Sequence, residues 1–74
     1  MKTPDFLIEN LYEFNAPEVR IVARSDAARS ALSAEVGLGA NSVTVRKSYA
    51  LPWMAKIARW GLSVEAAEDM EEVA

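Results

Sequence analysis

From Phe6 to Arg24 the chain alternates with a period of two, and few structures accommodate that period. Phe6, Ile8, Asn10, Tyr12 and Phe14 fall on one side of an extended segment, and Leu7, Glu9, Leu11 and Glu13 on the other. A helix would scatter both sets around its circumference, whereas a strand keeps each on one face. The alternation predicts a strand over Asp5 to Phe14, a turn at Asn15-Ala16-Pro17-Glu18, and a second strand over Val19 to Arg24. With Phe14 opposite Val19, Tyr12 meets Ile21 on the inner face. Outside, Glu13 meets Arg20, Leu11 meets Val22 and Glu9 meets Arg24. Opposite charges facing each other across strands are each worth about 0.2–1 kcal/mol. Such a hairpin has an aromatic inner face and a neutralised outer one.

Beyond the hairpin the period changes. Ser25 is suited to cap a helix, with Asp26 beside the positive end of its dipole. Ala28, Leu32 and Val36, flanked by Ala31, form the apolar stripe of a helix over Asp26 to Val36, and Gly37 is read as its left-handed stop. Ser42 to Lys47 is expected to be a third strand, with Val43 and Val45 inward. Ser48 and Tyr49 lead into a second helix whose first turn holds Pro52 and whose stripe is Trp53, Met54, Ile57 and Trp60, ending at Gly61. Leu62 to Glu65 reads either as a short closing strand or as the start of a weak helix through Val64, Ala67, Met70 and Val73; the strand is preferred. The expected fold class is α+β: a ββαβα(β) domain with both helices on one sheet face, spanning residues 1–64, then an acidic tail over 65–74.

Charge separates those two parts. Residues 1–64 carry eight bases and six acids, a balance of +2, while Glu65, Glu68, Asp69, Glu71 and Glu72 give the last ten residues −5. At 74 residues the core is thin, and roughly 3–5 kcal/mol of net stability is expected for a domain of this size without disulfides. The absence of cysteine leaves no mark of an oxidising compartment, so cytoplasm is the expected location. No stretch approaches the roughly 20 apolar residues of a membrane span. Glu9 and Glu13 interrupt any signal-peptide core after Met1.

The side chains present limit the chemistry. Without His or Cys the commonest general base, zinc ligand and thiol nucleophile are all missing, and none of the serines has a histidine to activate it. Gly37-Leu38-Gly39 follows a helix instead of joining a strand to one, the reverse of a phosphate-binding loop. Glu9 and Glu13 are about 13 Å apart at the rise of a strand, too far for a two-carboxylate glycosidase pair. No catalytic residue, cofactor or metal site is expected, and the chain is read as a non-enzyme.

Two surfaces remain as candidates. Trp60 at the end of the second helix, with Lys56 one turn earlier able to lie over its ring and Arg59 beside it, has the composition of a protein-binding patch; the acids Glu68, Asp69, Glu71 and Glu72 extend it. Alternatively, Arg20, Arg24 and Arg46 share a sheet face that, with Lys47, is suited to nucleic acid, although Glu9 and Glu13 neutralise part of it. An open strand edge makes a homodimer or a minor structural role a third reading.

Phe6…Glu9-Asn10, Ser25-Asp26-Ala27-Ala28, Val43-Thr44-Val45, Tyr49 and Gly61-Leu62-Ser63-Val64 fall in one order along about four-fifths of the chain. In that order and near that spacing the chain resembles a family of short uncharacterised proteins encoded by phages and prophages. It departs from their pattern at Ser48, where an Arg is expected, and at Lys56, where a Gly is expected. The resemblance implies a mobile-element accessory protein and no particular activity. Joined to the missing catalytic groups, it suggests stoichiometric binding of a host or phage protein in the host cytoplasm. Inhibition of a host defence system, in the manner of small anti-CRISPR proteins, is one form of such binding.

Overall fold

The computed structural model describes residues 3–67. Its elements are β1 (Phe6–Glu9), β2 (Glu18–Ala23), α1 (Asp26–Val36), β3 (Ser42–Arg46), a 3-10 turn (Lys47–Tyr49), α2 (Ala50–Arg59) and β4 (Val64–Ala66). The strands form one sheet in the order β3-β2-β1-β4, with β1–β2 and β2–β3 antiparallel and β1–β4 parallel. The chain is therefore an α+β domain of the expected order, closed by a fourth strand. β3 and β4 run parallel to each other at opposite edges, and α2 carries the chain between them.

Both helices lie on the same face of the sheet. Phe6, Ile8, Val19, Ile21 and Ala23 point from β1 and β2 into one cluster with Ala28 and Leu32 of α1 and Ala50 and Ile57 of α2. Each fully buried large aliphatic or Phe side chain there contributes about 1.5–3 kcal/mol by leaving water. Trp53, Met54, Trp60, Val43, Val45 and Val64 are partly buried around this centre. The stripe assigned to α2 thus faces the core. In α1 the stripe stops at Leu32, and Val36 stands 43% exposed.

The hairpin departs from expectation in length and register. β1 ends at Glu9 because Asn10 turns into the left-handed region at φ 71°, which Asn tolerates better than most residues. Two turns follow, closed by Glu13 N–H to the Asn10 carbonyl (3.2 Å) and Ala16 N–H to the Glu13 carbonyl (3.2 Å). The connection is the whole of residues 10–17, not a tight turn at 15–18. Phe6 consequently faces Ala23, Ile8 faces Ile21 and Glu9 faces Arg20. Glu9 thus pairs with Arg20 instead of Arg24, Leu7 takes the place expected of Leu11 opposite Val22, and Glu13 has no strand partner. The slip is four residues, an even number, so Phe6, Ile8, Val19, Ile21 and Ala23 keep the inward side expected of them. Tyr12 and Phe14 do not: both lie beyond the strand and face solvent.

Local capping matches the residue chemistry. The Ser25 hydroxyl accepts from Ala28 N–H (3.1 Å) and donates to Asp5 Oδ1 (2.6 Å). Asp5 Oδ2 accepts from the Ser63 amide (3.0 Å) and hydroxyl (3.3 Å), while the Asp5 amide donates to Ser63 Oγ (2.9 Å). One carboxylate thereby joins the starts of β1, α1 and β4. Gly37 ends α1 with φ 140° and ψ 151°, an extended mirror-image conformation instead of the expected left-handed helical one; its N–H donates to the Ser33 carbonyl. β4 takes in Glu65 and Ala66, the first two residues of the segment read as a tail. Glu68, Asp69, Glu71 and Glu72 lie outside the described residues.

Candidate functional site

The helix-borne patch is built mostly into the domain. The Trp60 ring packs at 6.1 Å from that of Phe6 and meets Trp53 edge-on at 6.4 Å, so one of its sides belongs to the core margin. Lys56 does not lie over Trp60. Its ammonium stands 4.7 Å from the centre of the Trp53 ring and 2.5 Å from Glu35 Oε2. The reason is directional: long side chains on a helix lean toward its N-terminus, so Lys56 reaches back one turn to Trp53 and across to α1. Arg59 is exposed and belongs to no ion pair among the described residues.

The sheet face opposite the helices carries the arginines singled out for nucleic acid, and acids beside them. Arg20 and Arg46 occupy neighbouring strands there. Arg20 lies 3.8 Å from Glu9, and Arg46 is aligned with Glu18 across β2–β3. Glu65 of β4 faces the same way, aligned with Leu7. Arg24 follows β2 and is exposed. Lys47 turns away to another task, donating its ammonium to the Glu13 carbonyl and its amide to the Pro17 carbonyl (2.9 Å). Two strand arginines thus stand among three glutamates, a balance unlike the clustered positive charge of a phosphate-binding face.

That use of Lys47 assembles a surface the sequence reading did not anticipate. The loop of residues 10–17 is fastened to the turn entering α2, and both segments expose large apolar side chains. Tyr12 is 72% exposed, Phe14 94%, Tyr49 54% and Leu51 75%. Tyr12 and Phe14 flank Glu13, whose carbonyl Lys47 holds; Tyr49 and Leu51 follow Lys47 by two and four residues. Both segments therefore lie at the end of the domain where β1 ends, β2 begins and α2 starts, and between them expose three aromatic rings and a leucine. No family model, curated protein or solved structure matches the chain.

Geometry sets what this end can do. Among the described residues no group of three or more His, Cys, Asp or Glu converges on a point that could hold a metal. No described helix is long and apolar enough to cross a membrane. Aromatic side chains carry much contact area for little conformational entropy, and Phe, Tyr and Leu in the open gain by leaving water. In sequence, the signal for this end was present but weak: two asparagines and a proline within Asn10–Pro17 are dense turn chemistry, and they coincide with the only part of the alternation that fails.

Proposed function

We propose that the protein acts by stoichiometric binding of another protein, and that the contact is the apolar end formed by Tyr12, Phe14, Tyr49 and Leu51. The observation carrying this reading is the exposure of all four on two segments joined through Lys47. Singly exposed apolar residues are ordinary, whereas several gathered on one end of a small domain mark an interaction surface. Aromatic anchors of this kind dominate binding energy where they become fully desolvated. Trp60, Lys56 and Arg59 supply a secondary contact at most, because the first two are already engaged within the domain. Inhibition of a host defence component, acting in the host cytoplasm, is one form of this reading; the sequence resemblance implies a phage-type accessory protein and no particular activity.

The test is capture of proteins from host lysate by immobilised wild type and by the Phe14→Ser/Leu51→Ser double variant, which should keep its fold because both side chains are exposed. A partner retained by the wild type and lost at least tenfold by the variant is the expected result. Equal retention by both, or none above background, would refute the assignment. Nucleic-acid binding is checked by titration at low salt; no salt-sensitive binding is expected from the balanced arginine face.

A further inference from the structure

β3 lies at the edge of the sheet with a neighbour on one side only. Its hydrogen-bonding phase follows from two bonds flanking it: Ala23 N–H donates to the Asn41 carbonyl (2.8 Å) and Lys47 N–H to the Pro17 carbonyl (2.9 Å). In an antiparallel ladder, residues alternate between exchanging bonds with the partner strand and turning their N–H and C=O away from it. Asn41 and Lys47 bond toward β2, so Val43 and Val45 do as well. Ser42, Thr44 and Arg46 therefore direct three N–H groups and the carbonyls of Ser42 and Thr44 to the open side, while the Arg46 carbonyl closes the 3-10 turn that follows. None of these five has a protein partner among the described residues. There is no proline in the strand to blunt the edge.

We infer that this edge pairs with the same edge of a second copy, antiparallel about a two-fold axis through Thr44. In that register Thr44 meets Thr44 of the second copy, Ser42 meets Arg46, and Arg46 meets Ser42. The Thr44 pair exchanges two bonds, and each Arg46 N–H donates to the Ser42 carbonyl of the second copy. The side chains agree with the backbone. Thr opposite Thr is a favourable cross-strand pair, and each arginine faces a serine instead of another arginine. On the inner face Val43 meets Val45 of the second copy. Both valines are only partly buried in the single domain, so pairing covers their exposed flanks and runs the two cores together. Sliding the copies until Arg46 faced Arg46 would set like charges opposite each other, which disfavours that register. The product is an eight-stranded sheet with an isologous interface, a closed arrangement that does not propagate into fibres. The pairing uses backbone groups of β3 and stands independently of what the apolar end binds.

The chain has no cysteine, so a single introduced thiol reports the register. Thr44→Cys places two thiols across the axis with Cα atoms about 5.5 Å apart, within disulfide reach. Ser42→Cys leaves them four residues apart along the strand, about 13 Å. Mild oxidation should convert Thr44→Cys to covalent dimer at least tenfold faster than Ser42→Cys. Thr44→Pro removes one open N–H per copy at an edge position where proline is tolerated. It should leave the circular dichroism of the domain unchanged and weaken the dimer at least tenfold in sedimentation equilibrium. Equal cross-linking of the two cysteine variants would overturn the inference, as would a wild-type chain that sediments as a monomer up to millimolar concentration. So would a monomeric chain whose capture of a partner is lost in Thr44→Pro, since that outcome gives the edge to a foreign strand.

Discussion

At the scale of single residues, Tyr12 shows how far a pattern can mislead. Its position in the alternation is inward, yet its ring stands in solvent because Asn10 redirects the chain two residues earlier. The two states of affairs differ measurably. A buried Ile8 reduced to Ala should cost about 2–5 kcal/mol, whereas Tyr12→Ser, at an exposed site, should change stability by no more than about 0.5 kcal/mol. Urea unfolding of the two variants checks this, and a Tyr12→Ser loss comparable to that of Ile8→Ala would place the ring in the core. Asp5 is the opposite case, a residue whose weight the sequence conceals. Its carboxylate accepts from Ser25 Oγ and from the Ser63 amide and hydroxyl, fastening three element starts. Bonds to a charged acceptor are worth about 1.5–3 kcal/mol each before solvent exposure reduces them, so Asp5→Ala should destabilise the domain by about 1–3 kcal/mol. Ser25→Ala, which loses a cap as well as its bond to Asp5, should cost about 1 kcal/mol in the same measurement.

Among the elements, the lengths are set by residues that do not belong to them. β1 is four residues long because of Asn10, and α2 ends where Gly61 takes φ 81°. A left-handed conformation costs an ordinary L-residue about 1–2 kcal/mol, and a Cβ at Gly61 would meet no atom within 4 Å. Gly61→Ala should therefore lower stability by about 1 kcal/mol through the backbone alone, and Asn10→Val by about 1–2 kcal/mol because a β-branched residue resists that region. Asn10→Gly should be close to neutral. Thermal melts of the three variants give the order, and an Asn10→Val variant more stable than wild type would mean that β1 can extend as the alternation suggests. The helices were legible for a simple reason: Ser25, Asp26, Pro52 and the 3.6-residue stripes act within one element, so nothing distant had to be known. The hairpin register was not legible. Any even slip keeps the same faces inward, so alternation alone cannot separate a four-residue connection from the longer one observed.

For the whole molecule, the small size governs how much error the fold tolerates. A reserve of roughly 3–5 kcal/mol is within reach of a single core truncation. Ile57→Ala, which removes a fully buried side chain between α2 and the sheet, should leave a large unfolded fraction at 25 °C, measured by near-UV circular dichroism of the two tryptophans. A cooperative melt at the wild-type temperature would contradict that. The charge pairs offer little compensation: Glu9–Arg20, Asp26–Arg29 and Glu35–Lys56 all have substantial solvent exposure, and exposed pairs contribute about 0–1 kcal/mol. Molar salt should accordingly shift the melting temperature only slightly, although it would weaken any binding steered by charge. The candidate site belongs to this scale. Tyr12 and Phe14 lie more than 30 residues from Tyr49 and Leu51, and the β2–β3 ladder together with the bonds of Lys47 to Glu13 and Pro17 brings the two segments to one end.

From sequence alone followed the α+β class, the element order, α1 to the residue, the stripe of α2 and the inward identity of Phe6, Ile8, Val19 and Ile21. All of these rest on periods and caps that operate over a few neighbouring residues. Tertiary contact decided the hairpin register, which acid meets which arginine, that β4 lies parallel beside β1, and that Lys56 reaches Glu35. Those outcomes depend on distances between segments far apart in the chain, and local pattern carries no information about them.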